Sequence, residues 1–85
     1  MFFVYILHST VTNRYYVGST HDMQLRLAHH NDGWSRSTKS GRPWHVVYTE
    51  EYPDRSAALR RENEIKRQKS RKYIEALIAM RANSG

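Results

Sequence analysis

The chain has 85 residues, carries a formal net charge of +6 and contains no cysteine. This length suits a single domain, residues 1–85, with a small core, and the lack of cysteine excludes disulfides and thiolate metal sites. No run approaches the roughly 20 apolar residues of a membrane helix, and MFFVYILHS lacks a basic leader and a cleavage site, so we expect a soluble cytoplasmic protein with no membrane partner.

Two strands joined by a hairpin are predicted at the start of the chain. Phe2 to His8 is a continuous apolar and aromatic run, which is typical of a buried strand. Arg14 to Ser19 is predicted to be the second strand, and the polar residues between the two runs favour a tight connection. We expect His8 to face Asn13 across a four-residue loop.

The expected register brings two tyrosines together. With His8 opposite Asn13, Tyr5 lies opposite Tyr16, and opposed residues share one face of a sheet. Most paired tyrosines on strands only pack, so a purely structural role stays open for this pair. Gly18 follows, and it predicts either that the strand ends in a turn or that another group approaches the backbone closely.

The first helix is predicted over residues 22–32. Thr20 or Asp22 can cap it, because either side chain can accept a hydrogen bond from the free amides of the first turn. Gly33 is a suitable residue to end it in a left-handed conformation.

Two side chains on this helix favour an anion-binding surface. Arg26 and His30 are four residues apart, so they lie next to each other on one helical face. His29 lies one position away from that face, and we expect it to be a surface residue.

A basic loop and a third strand follow. Trp34 to Arg42, with the sequence WSRSTKSGR, is predicted to be a loop with room for one helical turn. Basic loops of this kind often contact phosphates, although a solvated connection is the alternative. Pro43 precedes a β-rich run, Trp44 to Glu50, which is predicted to form the third strand.

Two helices complete the predicted fold. Asp54 can cap a helix that runs to about Gln68, and a second helix spans roughly Ser70 to Met80. The packing face of the second helix is predicted to consist of Tyr73, Leu77 and Met80. The tail from Ala82 to Gly85 is expected to fray.

One carboxylate on the helix that begins near Asp54 is predicted to point towards the core. Glu62 falls within the apolar stripe of Ala58, Leu59 and Ile65. Burying an uncompensated charge costs on the order of several kcal/mol. A cation, a metal or hydrogen-bond donors can offset this cost. Pairing with a buried arginine and metal binding are both open for this residue.

The basic charge is concentrated near the C-terminal end. Residues 54–72 contain eight lysines and arginines against three acidic residues. A local basic surface favours a nucleic-acid partner, with a solvated helix face as the alternative. The candidate contact residues are Lys39, Arg42, Arg60, Arg61, Lys66 and Arg67.

Four segments resemble the motifs of the GIY-YIG nuclease family. Val4-Tyr5 and Tyr16-Val17-Gly18 resemble the two halves of its signature, although Phe3 or Val4 stands where the signature has glycine. Residues 26–31, RLAHHN, resemble its helix motif, and residues 58–62, ALRRE, resemble its Ala-Leu-x-x-Glu element. The match covers residues 2–75 and is most similar to small stand-alone bacterial members, relatives of the N-terminal nuclease domain of UvrC.

This resemblance implies an α+β fold in the order β-β-α-β-α-α, with a three-stranded antiparallel sheet flanked by helices. It also implies metal-dependent hydrolysis of phosphodiester bonds in DNA, in repair or processing. Glu62 would be the single protein ligand of Mg²⁺ or Mn²⁺, and Arg26 would bind a phosphate oxygen. Tyr5 and Tyr16 would flank the attacking water, with Tyr5 preferred as general base and a hydrogen bond from His30 lowering its pKa. The alternative is a nucleic-acid-binding module of this fold with little or no cleavage.

Overall fold

The structure is a computed structural model that describes residues 1–83, and it confirms the predicted α+β fold and the order β-β-α-β-α-α. The strands are β1 (Phe2–Ser9), β2 (Tyr15–Thr20) and β3 (Trp44–Tyr52), and the helices are α1 (Met23–Asn31), α2 (Arg55–Gln68) and α3 (Arg71–Asn83). None of the helices within residues 1–83 has the length and apolar character needed to cross a bilayer.

The three strands form one antiparallel sheet in the order β2-β1-β3. Neighbouring strands cover both edges of β1 and helices cover both of its faces, so residues 4–7 have no exposed surface. This double burial explains why β1 is a continuous apolar run and not an alternating one. Ala82 and Asn83, which lie in the tail that is predicted to fray, belong to α3, and the rest of that tail lies outside the described residues.

The predicted hairpin register is wrong by two residues. Tyr5 pairs with Gly18, and Tyr16 pairs with Leu7. The turn has the expected four residues but lies one position later, at residues 10–13, because the amide of Ser9 donates to the carbonyl of Arg14 at 2.9 Å. A shift of two residues preserves the face of every side chain, so Tyr5 and Tyr16 still lie on the same side of the sheet.

Each face of the sheet packs against different helices. One face contributes Val4, Ile6 and Val17 to a core that Ala58 and Ile65 of α2 complete, with partly buried residues of α3 around it. The other face packs against α1 around a second core, whose buried members are Tyr5, Leu7 and Trp44. The helices therefore lie on both sides of the sheet, and the end of β2 separates α1 from α2.

The helical packing faces differ from the predicted ones at two positions. Leu59 is predicted in the stripe of α2, but its side chain is 46% exposed. Met80 is predicted on the packing face of α3, but it is 68% exposed, and Ile74 and Ile78 pack against the core together with Tyr73 and Leu77. The predicted loop contains a 3₁₀ turn over Lys39–Gly41.

A partly buried ion pair connects β3 to α2. Arg61 donates from Nε and Nη2 to the two carboxylate oxygens of Glu50, at 2.9 and 3.1 Å. The hydroxyls of Tyr48 and Tyr52 donate to the same carboxylate. Burial raises the pKa of Glu50, but these hydrogen bonds outweigh it and hold the pKa below its usual range. Glu64 accepts a hydrogen bond from Arg61, and not from Arg60 or Arg67 as its spacing suggests.

Candidate active site

The end of β2 and the facing sides of α1 and α2 enclose a cleft of about 460 Å³. Ser19 lines it from β2, Arg26 and His29 line it from α1, and Arg55 and Leu59 line it from α2. The cleft therefore lies where the sequence predicts an anion-binding surface, at the junction of β2 and the first helix.

Local sequence sets the direction in which α1 leaves the sheet. Asp22 is the N-cap residue, and its Oδ1 accepts a hydrogen bond from the amide of Leu25 at 3.0 Å. Thr20, the other predicted cap, instead accepts a hydrogen bond from the amide of Asp22 at 3.1 Å and braces the cap itself. This start places Arg26 one turn into the helix and facing the sheet.

The hydroxyl of Tyr5 lies between two side chains of α1. Nε of Arg26 donates to this hydroxyl at 3.2 Å, and Nε2 of His30 lies 2.9 Å from it. The structure thus brings together three of the predicted site residues. Gly18 permits this arrangement, because a Cβ added there would lie only 2.6 Å from Cζ of Tyr5. The prediction that another group approaches the backbone of Gly18 closely is therefore confirmed. The alternative prediction, that the strand ends in a turn at Gly18, is wrong because β2 continues to Thr20.

The hydrogen-bond network determines which nitrogen of His30 carries the proton. The hydroxyl of Thr38 donates to the carbonyl of Ser35, so it accepts from Nδ1–H of His30 at 2.7 Å. Nε2 of His30 is then unprotonated and accepts from the hydroxyl of Tyr5. Burial, together with the charges of Arg26 and His29, lowers the pKa of His30 to about 4 and keeps the imidazole neutral.

These contacts correct the predicted chemistry of Tyr5. The side chain of Tyr5 is fully buried, and burial raises its pKa even though Arg26 acts in the opposite direction. The expected lowering of this pKa is therefore wrong, and so is the expected hydrogen bond from His30, because Tyr5 is the donor. Tyr16 is only partly buried, with its ring centroid 6.3 Å from that of Tyr5 and 4.8 Å from that of His30.

Arg26 contacts both tyrosines. The hydrogen bond to Tyr5, which is the largest influence, and interactions with Tyr16 raise the pKa of Arg26 further above its usual range. The guanidinium is therefore a fixed positive charge in the cleft. A planar guanidinium held in one orientation is suited to bind phosphate oxygens.

Glu62 is buried as predicted, with 9% of the residue exposed. The hydroxyl of Ser19 donates to its Oε1 at 2.6 Å, and Nζ of Lys66 lies 2.6 Å from its Oε2. The alternative in which a buried arginine neutralises Glu62 is wrong, because the partly buried Arg61 binds Glu50 instead. Lys66 is 46% exposed, so the charge partner of Glu62 borders on solvent.

The donor set around Glu62 fits a hard divalent cation. A carboxylate and the neighbouring hydroxyl of Ser19 offer oxygen atoms, which Mg²⁺ and Mn²⁺ prefer. Within residues 1–83, no cluster of three or more histidine, cysteine, aspartate or glutamate side chains could hold a metal. One protein carboxylate would therefore have to be supplemented by water and phosphate oxygens, as Mg²⁺ sites often are.

The predicted nucleic-acid contacts fall into three groups. Arg60, Lys66 and Arg67 line a shallow groove on α2. Lys39 and Arg42 are exposed on the loop that follows α1, where Nε of Arg42 donates to the carbonyl of Lys39. Arg61 differs, because its side chain is 18% exposed and its guanidinium binds Glu50, Glu64 and Tyr73. We therefore leave Arg61 out of the candidate interface.

Several residues of the site are not predicted from the sequence. Ser19 and Thr38 orient Glu62 and His30, yet neither stands in a motif that would indicate this role. His29 is predicted to be a surface residue, but it is partly buried, and its ring stacks on Trp34. In the sequence, the feature that could have indicated this stack is the tryptophan at the start of the basic loop.

Comparison with known proteins places the chain among small proteins of one family. The family model described as the GIY-YIG catalytic domain matches residues 1–74. UPF0213 proteins from Staphylococcus aureus and Staphylococcus haemolyticus are 42% identical over 77 residues, which cover 86% of this chain and 93% of theirs. The solution NMR structure of a UPF0213 protein from Bacillus halodurans is similar with a TM-score of 0.59 and 32% identity, over 94% of this chain and 85% of that one.

Proposed function

The chain belongs to the GIY-YIG family of nucleases, and we propose that it is an endonuclease that hydrolyses phosphodiester bonds in DNA with a divalent metal ion. We assign it to DNA repair or processing in the cytoplasm. The observation that supports this proposal best is that one cleft is lined both by Arg26, which donates to Tyr5 next to His30, and by Ser19, the residue that orients Glu62.

Arg26 is suited to hold the scissile phosphate. Its Nε is bound to the hydroxyl of Tyr5, which fixes the plane of the guanidinium, and the residue lines the cleft. A phosphate there would meet a permanent positive charge that needs no reorganisation as negative charge develops. The neutral His30 supports this arrangement by holding the proton of Tyr5 in a hydrogen bond to its Nε2.

Tyr16 is the better candidate for contact with the attacking water. Tyr5 is fully buried and already donates its proton to His30, so a water molecule has little access to it. Tyr16 is partly exposed and lies beside both Tyr5 and Arg26. In this proposal Tyr16 forms a hydrogen bond to the attacking water and orients it, the proton of the water passes to solvent, and Tyr5 and His30 form the buried support that positions Arg26.

Glu62 would hold the metal, with its carboxylate oriented by Ser19. When bound, Mg²⁺ or Mn²⁺ supplies positive charge that stabilises the leaving oxygen. Lys66 would have to leave the carboxylate as the metal binds, and its partial exposure gives it room to turn towards solvent or a neighbouring phosphate.

A binding module with little cleavage activity is the second candidate. One observation favours it: both carboxylate oxygens of Glu62 already have partners, Ser19 and Lys66, so the carboxylate is satisfied without a metal. Such a module would keep the basic groove of α2 and the loop after α1 but would not hydrolyse the strand.

A cleavage assay with matched variants separates the two candidates. End-labelled duplex, branched and single-stranded DNA and their RNA counterparts are incubated with Mg²⁺, with Mn²⁺ or with EDTA. The proposal predicts cleavage of DNA only with metal, loss of cleavage in Glu62→Gln, and cleavage as in wild type in Glu64→Gln, whose carboxylate is 49% exposed on the same helix. Cleavage that persists in Glu62→Gln, or none on any substrate, would contradict it.

A further inference from the structure

We propose that Trp34, stacked on His29, forms a binding site for one unpaired nucleobase of the substrate strand beside the cleft. This proposal rests on the proposed function in one respect, namely that the substrate is a nucleic acid. It adds that the bound strand presents at least one base outside a duplex.

Trp34 is held as half of an aromatic stack. Its ring lies 4.0 Å from the ring of His29 between centroids, with an angle of 6° between the planes. Within residues 1–83, Trp34 is the most exposed large apolar side chain, at 71%. Because His29 covers one face of the indole, the exposed area lies on the other parts of the ring, where a flat aromatic group can stack.

The backbone fixes the position of this ring. Gly33, with a φ of +81°, ends α1, and the amide of Trp34 donates to the carbonyl of His29 at 3.0 Å. The following loop is tied to the buried site, because Thr38 accepts a hydrogen bond from His30. A ring whose backbone is already ordered loses less conformational freedom when a ligand binds.

The surroundings of the stack favour a nucleotide over another flat ligand. His29 lines the same cleft as Arg26, which precedes it by three residues and therefore lies about one helical turn away. The guanidinium of Arg42 lies beside Gly33, since a Cβ added to Gly33 would be 3.0 Å from its Nη1. A base on Trp34 would thus have two positive charges nearby for its flanking phosphates.

Only an unpaired base has a free face for this stack. In a duplex each base already stacks on its neighbours, whereas a base in a single strand, a bulge or a flap can lie on an aromatic side chain. Every base has such a face, so this contact tolerates any sequence. The site therefore selects substrates by strand structure.

Equilibrium binding without metal tests the proposal independently of cleavage. Fluorescein-labelled oligothymidine and a matched hairpin duplex are titrated in EDTA with wild type, Trp34→Ala, Trp34→Phe and Met80→Ala, an exposed apolar control on α3. Trp34→Ala is expected to weaken binding of oligothymidine by roughly 5- to 150-fold, as expected for the loss of one base stack. Trp34→Phe should retain most of the affinity, and Met80→Ala all of it.

The affinity for the duplex should be unchanged in all variants. Oligothymidine should quench the tryptophan fluorescence of wild type more strongly than that of Trp34→Ala, which keeps the buried Trp44. Unchanged affinity of Trp34→Ala for oligothymidine, or an equal loss for duplex and single strand, would overturn the proposal. Protein that binds oligothymidine through Trp34 but never cleaves DNA would refute the endonuclease and leave this site intact. Cleavage with normal binding by Trp34→Ala would refute this site alone.

Discussion

Two carboxylates of similar exposure are expected to respond differently to the same substitution. Glu50→Gln should lower the free energy of unfolding by about 2 to 3 kcal/mol, the upper part of the range for leaving partly buried charged donors without their acceptor. Glu62→Gln should change it by less than about 1 kcal/mol. The side chains of Glu50 and Glu62 are 15% and 12% exposed, so burial does not distinguish them.

The partners of each carboxylate account for this difference. Arg61 is 18% exposed, so without the charge of Glu50 its Nε and Nη2 would lose their anionic acceptor, and its remaining counterion would be Glu64, which is 49% exposed. Lys66 is 46% exposed and can return to water, and a helical pair of this kind contributes only about 0.3 to 0.5 kcal/mol. The hydrogen bond from Ser19 would weaken by about 1 kcal/mol when its acceptor becomes neutral, and the loss is offset because no charge has to be buried.

Thermal unfolding in EDTA, followed by circular dichroism, measures both effects. For a domain of this size about 1 kcal/mol corresponds to roughly 4 to 8 °C, so Glu50→Gln should melt at least about 8 °C below wild type. Glu62→Gln should stay within several degrees of wild type, as should the control Glu64→Gln. A decrease in Glu62→Gln as large as that of Glu50→Gln would show that the carboxylate is a structural ion-pair partner, and its assignment to the metal would lose its physical basis.

Three further outcomes follow from the contacts of the site and of the basic groove. Gly18→Ala should destabilise the protein by about 1 to 3 kcal/mol and abolish cleavage, because the new Cβ would clash with the buried ring of Tyr5. A variant that melts and cleaves like wild type would contradict this prediction. The pKa of His30 is about 4 in the folded state, below its ordinary value of 6.5, so the free energy of unfolding should fall as the pH decreases from about 6.5 to about 4, by at most about 1.4 kcal/mol per pH unit. Denaturant unfolding at several pH values should show this decrease in wild type and not in His30→Gln. Reversing the charges of Arg60 and Arg67 should make the slope of log affinity for duplex DNA against log salt concentration less steep, by roughly 0.9 for each phosphate that the groove no longer neutralises. An unchanged slope would exclude the groove as a phosphate-binding surface.

The order of elements could be predicted from the sequence because it depends on local patterns. The continuous apolar run of β1 and the helical spacing of Arg26 and His30 are properties of short segments, and both are confirmed. The register of the hairpin depends instead on the exact position of its turn. Asn13 adopts a positive φ of 58° as the last residue of the turn, a conformation that its residue type permits but does not require.

Contacts between distant segments could not be predicted in this way. Arg61 and Glu50 are eleven residues apart on different elements, and a guanidinium in a basic run looks the same whether it pairs with a carboxylate or with a phosphate. The same holds for Ser19 and Glu62, which are 43 residues apart. The predicted inward position of Glu62 is confirmed because it follows from the apolar stripe, whereas the identity of its partners depends on how α2 packs beside β2.

The rate of a single turnover by Arg26→Lys tests most directly whether this cleft hydrolyses DNA. Protein in excess over labelled DNA is mixed with Mg²⁺, and wild type, Arg26→Lys and the exposed-loop control Arg36→Lys are compared at equal occupancy of the substrate. Lysine keeps the charge but loses the planar fork that Tyr5 holds in place, so the rate should fall on the order of 10²- to 10³-fold while affinity stays near that of wild type. Arg36→Lys should cleave at the rate of wild type. A rate for Arg26→Lys close to that of wild type would contradict the assignment of this cleft as the active site.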